Sequence, residues 1–338
     1  MRVLRSLHWF DLPADAPELS TPAFREFMQR CFPPIRNSDG SWKRSRANRH
    51  ADLDTQLATL LKKQERRPAV FMDVGMANGI STLETIRCLE RAGLPVQTIA
   101  TDRNLEAYVV RLSRDLDLLV EAKGHILLIE WHGWLFSPFC HFWDHVTGRS
   151  LLKWIATARG KRQVTRLGLP LTPGHVRPDG VVAGPFRLVT PELQGRADVL
   201  VRPDDILEST PPEWVGVADV LRVVNVLRPD DFTPLQLRQV AKNLRQRCRE
   251  GGILVVGRNR MQRGVRPRWA ATFFRAEPGG GWRTLERLGA GSEVEQFFDP
   301  NTEDRLPPDR GASSPPTRSD GTPPAGLAKP DGDRGGTQ

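Results

Sequence analysis

The stretch from Val70 to Thr82 reads VFMDVGMANGIST. An apolar run ends in an acid, small residues recur at Gly75, Ala77 and Gly79, and the helical pattern of STLETIRCLERAG follows at once. A buried strand that passes into a helix through so tight a turn is a βα unit, and such units assemble into parallel sheets. The alternation continues down the chain. VQTIATD is a second strand ending at Asp102; ADVLVRPDDIL, VADVLRVVNVL and ILVVGR supply three more, the last preceded by the amphipathic TPLQLRQVAKNLRQRCREGG. RWAATFFRAEPGGGWRTLERLG reads as two strands about a Gly-rich turn, a terminal antiparallel hairpin. The expected fold is α/β, on a Rossmann-like, mostly parallel sheet.

The remaining sequence frames that sheet. With 338 residues, 39% of them hydrophobic, the chain can bury one large core, or one core and a smaller subdomain. Residues 1–67 read as a helical N-terminal region, with TPAFREFMQRCF and DLDTQLATLLKKQ on either side of the basic RNSDGSWKRSRANRH. Residues 68–299 hold the sheet domain, interrupted by an aromatic-rich insertion over about 104–196, between the second and third strands. Over 300–338 large apolar residues almost vanish, and a disordered tail is expected. No run of about 18 apolar residues suggests a membrane span, and MRVLRSLHWFDLP is too short an apolar stretch for a secretory signal. Cys31, Cys88, Cys140 and Cys248 lie far apart with no CxxC pair. That argues against a disulfide frame or zinc ribbon, and the expected location is the reducing cytoplasm. The net charge of +9 admits an acidic partner, though a GC-rich genome would give the same arginine excess.

The spacing at Gly75 constrains the ligand. A dinucleotide site needs G-x-G-x-x-G, with pyrophosphate on the following helix, but Ile80 occupies the third glycine's place. The acid Asp73 stands before the glycines, where it repels pyrophosphate and suits an ammonium or sulfonium group. Asp102, ending the second strand, can accept from both hydroxyls of a ribose. Asp205 follows the third strand, within reach of an exocyclic amine. Three acids at three strand ends, with a glycine turn, fit a nucleoside that is not anionic. A ligand-free domain in which Gly75 and Gly79 merely turn the chain would show the same residues.

In these residues the chain resembles the class I S-adenosylmethionine-dependent methyltransferases: Asp73, Gly75, Ala77 and Gly79 in the first motif, Asp102 in the second, Asp205 in the third and Asn225 in the fourth. The resemblance covers roughly residues 68–102 and 197–290. It implies a seven-stranded sheet with S-adenosyl-L-methionine across the strand ends, and Asp73, Gly75, Ala77, Gly79, Asp102, Asp205 and Asn225 as its binding residues. The part ADVLRVVNVLRPDDFTPLQLRQVAKNLRQRCREGGILVVG is further similar to the chemotaxis-receptor carboxyl methyltransferases, but Arg228 and Pro229 stand where that group has Ile-Tyr-Phe, so its substrate is not carried over. The N-P-P-Y tetrapeptide of adenine methylases is absent.

The insertion departs from this pattern. RDLDLLVEAKGHILLIEWHGW reads as a hairpin turning at Lys123-Gly124, and FSPFCHFWDHVTGRSLLKWIATARGKR as helical, with four histidines and three tryptophans gathered between them. It is either a packed subdomain or a lid, in which Trp131 walls the acceptor and His132 acts as general base. His141 and His145 share a helical face, but no third ligand is marked, and no metal is expected. After the fifth strand, GRNRMQRGVRPR places Arg258, Arg260 and Arg263 near the sheet's ligand-binding rim, where arginine forks suit an acidic acceptor. The basic KWIATARGKRQVTR can face a membrane surface or nucleic acid; without interleaved aromatics, nucleic acid is the weaker partner. The expected function is transfer of a methyl group to a small-molecule or carboxylate acceptor. The competing expectation is a non-catalytic module with a retained or relic cofactor pocket.

Overall fold

Two sheets share the chain. The computed structural model describes residues 21, 35–38, 43, 48–65, 67–113, 115–139, 142–168, 170–171, 176–177, 180–260 and 268–298. Apart from Thr21, the expected helix TPAFREFMQRCF lies outside them, as do Arg263 and the 300–338 tail.

The larger sheet has seven strands: β1 (Val70–Val74), β2 (Gln97–Asp102), β9 (Val199–Pro203), β10 (Ala218–Val224), β11 (Cys248–Arg260), β12 (Arg268–Ala276) and β13 (Trp282–Leu288). Their order in space is β13-β12-β11-β10-β1-β2-β9. The pairings from β9 through β11 are parallel, and β12 runs against both its neighbours. The architecture is therefore the expected Rossmann-like one, mostly parallel with a terminal antiparallel hairpin. Side chains alternate across each strand and feed two cores. On one face Phe71, Val220 and Ile253 pack with α1 (Ala51–Lys63) through Leu53, Leu57 and Leu61, and with α2 (Ile80–Arg91) through Leu83, Ile86 and Leu89. On the other, Met72, Leu221 and Leu254 meet Leu237, Val240 and Leu244 of α6 (Pro234–Arg247). Helix α6 starts where the sequence says it should. Thr233 accepts from the Gln236 amide at 3.3 Å and the Gln236 side chain accepts from the Thr233 amide at 2.8 Å, with Pro234 in the first turn.

The insertion is a second, wholly antiparallel sheet: β3 (Glu106–Ser113), β4 (Leu116–Val120), β5 (Ile126–Trp131), β6 (Trp134–Phe136), β7 (Val176–Arg177) and β8 (Gly180–Arg187), in the order β6-β5-β4-β3-β8-β7. The β4–β5 hairpin turns at Lys123-Gly124, with Gly124 in the left-handed region, and the helical stretch becomes α3 (Phe142–Val146) and α4 (Arg149–Leu167). Local sequence pattern assigns neither β3, a central strand of this sheet, nor β8, which pairs with it. The insert closes on itself at a neck, where Glu106 pairs with Arg187 and the Leu188 amide donates to the Leu105 carbonyl at 2.7 Å. A short helix, α5 (Pro191–Gln194), then leads back to β9. Among the described residues no helix is long and apolar enough to cross a membrane.

Candidate functional site

The sheet order turns between β10 and β1, which are neighbours although far apart in sequence. In open sheets of this kind the crevice outside the strand carboxyl ends, at such a reversal, is where ligands bind. The loop after β1 lies there. Gly75, Ala77 and Gly79 have φ of 76°, 58° and 80°, so alternate residues are left-handed, and Ala77 holds that conformation at a steric cost glycine would not incur. The loop is tied to the end of β2. The amides of Gly75 and Met76 donate to the Thr101 carbonyl at 2.8 and 3.0 Å, and the Ala77 amide donates to Asp102 Oδ2 at 2.8 Å.

Asp102 is thus at the crevice, but its second oxygen is already engaged. The ammonium of Lys43, a buried residue, donates to Asp102 Oδ1 at 2.9 Å and approaches the Ala77 carbonyl at 3.4 Å, and the Asn104 amide donates to the same Oδ1 at 3.1 Å. Protein also covers the glycines. A Cβ on Gly75 would lie 2.2 Å from a Val226 methyl, and one on Gly79 would lie 2.4 Å from a Leu193 methyl. Asn78, between Ala77 and Gly79, is fully buried, and its side-chain nitrogen has no hydrogen-bond partner.

Asp73 is not available to a ligand, which corrects the sequence-based expectation. It sits directly across from Arg222 of β10 in the parallel register, and Arg222 donates to its two oxygens at 2.9 and 2.6 Å. Thr82 of α2 donates to Oδ2 at 2.5 Å. The guanidinium also reaches Asp54 of α1 at 3.3 Å and the Thr85 hydroxyl. Arg222, Asp73 and Asp54 are all buried. Burial raises the Asp54 pKa to about 6, against the lowering influence of Arg222 and of its hydrogen bond from Thr85. His50 stands beside this network with its ring edge on Trp269, and burial, with Arg222 and Arg49 next, lowers its pKa to about 2, so the ring is neutral. The first motif's acid therefore fixes the floor under the loop rather than touching what lies above it.

The other candidate residues divide. Asp205 pairs with Arg103 at 3.1 Å and accepts from the Leu207 amide at 3.0 Å, whereas its neighbour Asp204 is held by Arg247 at 2.6 and 3.0 Å. The Asp205 side chain is the more exposed of the two, just past the end of β9 beside β2. Asn225 caps the adjoining strand ends: its φ is 60°, its side-chain oxygen accepts from the Asn259 amide at 3.0 Å, and its amide donates to the Gly257 carbonyl at 2.8 Å. Arg258 pairs with Glu293 at 2.5 Å, and Arg260 lies at the end of β11, where only its backbone is described.

The lid reading of the insert fails on geometry. His132 and Gly133, both with positive φ, are the two-residue turn between β5 and β6, and the His132 side chain is exposed. Pairing places that turn beyond Ser113, Leu116 and Trp131, at the end of the insert away from the neck. At about 3.3 Å per residue, β3 alone carries the turn about 23 Å from the neck. His132 therefore does not stand over the loop as a general base, and Trp131 packs with the insert's own core instead of walling an acceptor. Among the described residues no group of three or more His, Cys, Asp or Glu side chains gathers as a metal site.

No family model matches the chain, and no curated protein matches it. Among solved structures it is similar to the methyltransferase domain of a citrinin polyketide synthase, at 14% identity over 76% of this chain and 43% of that one, with a TM-score of 0.30. It is also similar to the N-methyltransferase NodS from Bradyrhizobium japonicum WM9, in complex with S-adenosyl-L-homocysteine, at 12% identity over 69% and 71% of the two chains and a TM-score of 0.28. An aminoglycoside resistance methyltransferase gives 14%, 60% and 61%, and 0.25. The chain spans less than half the length of the first of these. Likenesses this loose carry no argument about activity. The class, an open Rossmann-like α/β protein with a crevice at the β10–β1 reversal, rests on the strand order.

Proposed function

We propose that the chain is an S-adenosyl-L-methionine-dependent methyltransferase whose cofactor lies across the carboxyl ends of β1 and β2, against the loop from Gly75 to Gly79. The observation that supports this best is the loop itself, with three left-handed residues in five and its central amide fixed by Asp102. Backbone strain of this kind, about 1–3 kcal/mol for a residue in a sparsely populated region, concentrates where a ligand is held. Asp102 offers a ribose diol two acceptor oxygens, the diol taking the place now held by the Lys43 ammonium. The unpartnered Asn78 nitrogen gives the loop a further donor, and Asp205 stands at the next strand end for an amine. In this reading Asp73 acts at one remove, through Arg222, by holding the end of β1 rigid.

When bound, the cofactor supplies an activated methyl group, and alignment with the acceptor provides much of the rate. With His132 far from the loop, no general base is assigned, which favours an acceptor already ionised, such as a carboxylate. Arg258 can take such a group by exchanging Glu293. Calorimetry with S-adenosylhomocysteine tests the reading: the protein should bind it, and Asp102→Ala should abolish binding, each charge-assisted bond contributing about 1.5–3 kcal/mol. Unchanged affinity in a folded Asp102→Ala would refute it.

A non-catalytic module with a relic pocket is favoured by one specific feature, the triple cover of Lys43 on Asp102, Val226 on Gly75 and Leu193 on Gly79. If that reading holds, Lys43→Met still binds no nucleoside. If the cover is displaceable, Lys43→Met binds more tightly than the parent chain.

A further inference from the structure

Helix α4 lies on one face of the insert's sheet through Ala156, Gly160, Val164 and Leu167. Gly160 lets it come close, since a Cβ there would stand 3.0 Å from Leu118 and 3.1 Å from Ile126. The opposite side of the helix changes character along its length. Over the first two turns it carries Leu151, Leu152, Trp154 and Ile155, exposed by 61, 52, 68 and 42%. Val146, just before the helix, and Trp134 of β6 are exposed by 61 and 68%. Trp134 is the cross-strand partner of Trp131, whose side chain packs into the core beneath α4. Directly paired residues share a face, so Trp134 is on the helix side of the sheet. Six of the nine large apolar residues exposed among the described residues are therefore concentrated between Trp134 and Ile155. Scattered exposure needs no explanation, but a cluster does.

Further along the helix the exposed surface becomes basic, with Arg159, Lys161 and Arg162 exposed and, among the described residues, paired with no acid. The helix, RSLLKWIATARGKRQVTRL, contains no Asp or Glu, and Lys153 is neutralised by Asp144 at 2.7 Å. We propose that this surface docks on an anionic membrane, α4 lying in the interface plane with Leu151, Trp154 and Ile155 in the headgroup–acyl boundary. Arg159, Lys161 and Arg162 then meet acidic headgroups, the combination of apolar insertion and basic attraction that interfacial helices use. Two alternatives fit less well. A second copy meeting this face through a two-fold would bring the same positive charges together. Nucleic acid would satisfy the cations but leave Leu151, Leu152 and Ile155 without an apolar phase. The proposal is independent of what the crevice at β1 binds.

Co-sedimentation of the full chain with sucrose-loaded vesicles tests it, using phosphatidylcholine alone and phosphatidylcholine with about a third phosphatidylserine. The chain should partition onto the anionic vesicles, less so at high salt. The variant R159S/K161S/R162S should lose about a hundredfold, at roughly fivefold for each charge, and L151S/W154S at least tenfold, roughly the loss of one buried aliphatic or aromatic anchor. These side chains point to solvent, so melting temperature should not move. The proposal is overturned if anionic vesicles do not retain the chain, or if either variant binds undiminished. It is also overturned if W154S dissociates a concentration-dependent dimer, or if single-stranded RNA binds, while vesicles do not.

Discussion

Replacing Arg222 with methionine tests the buried network beneath the loop. The parent guanidinium donates to Asp73 at 2.9 and 2.6 Å and to Asp54 at 3.3 Å, with the three side chains 2–3% exposed. Methionine fills most of the volume and adapts its shape, so the loss is electrostatic rather than a cavity. Two carboxylates would remain buried without their cation, and breaking a buried pair in this way costs about 3–5 kcal/mol. A folded domain has about 5–15 kcal/mol in all, so the variant should fold but lose a large part of its stability. In urea, with a slope of roughly 3 kcal/mol per molar for a chain of this size, the midpoint should fall by about 1–1.7 M. Tryptophan emission reads the transition. The pH dependence carries a second check. Without Arg222, Asp54 loses the main influence that lowers its burial-raised pKa, so the folded state holds its proton more firmly and stability rises as pH falls. The loss should therefore be smaller at pH 5 than at pH 7.5. A loss under about 1 kcal/mol at pH 7.5, or one equal at both pH values, would refute the reasoning.

In the parent chain, Asp54 is already raised from 3.8 to about 6, so the folded state binds the extra proton and stability declines as pH rises through that window. The ceiling is about 3 kcal/mol, from roughly 1.4 per unit, and urea titrations at pH 4 and 6.5 should show the decline flattened in Asp54→Asn. Gly75→Ala combines a left-handed alanine with the collision against Val226, and calorimetric scans should show about 1–3 kcal/mol of destabilisation. Adding Val226→Ala should recover the collision but not the conformational part. Full recovery would mean that the turn does not resist a side chain.

The parallel sheet was legible because each of its strands is a short β-branched run bounded by a turn or a helix. What was missed was written as charge. Arg222 lies in the middle of VADVLRVVNVL, on a central strand buried on both faces, and such a cation must meet a buried acid; Asp73, two residues before Gly75, was the acid in register. The position of Asp73 before the glycines points to a ligand, whereas the protein itself supplies the partner, Arg222. Lys43 gave no comparable signal, since it stands in the basic run RNSDGSWKRSRANRH and nothing in its spacing separates a buried lysine from a solvated one. In the insert, EAYVVRLS and GVVAGPFR are neighbouring strands, but they pair across about 70 to 80 residues, and local pattern does not register so distant a partner. Residue type alone makes His132 a candidate base, and its neighbour Gly133 marks the hairpin turn that it occupies.

The neck of the insert has a consequence for the order of folding. β2 and β9 are adjacent in the larger sheet, yet about 95 residues separate them along the chain. If the insert folds first, Glu106 and Arg187 are already side by side, and the effective loop shrinks to about 15 residues. On logarithmic loop-closure scaling the entropy cost of joining β9 to the sheet falls by about 1.6 kcal/mol. The local hairpins of the insert can form early, and the return of β8 to β3 then makes the neck. The parallel edge of the larger sheet is then completed late, by a strand that the neck has already brought within reach.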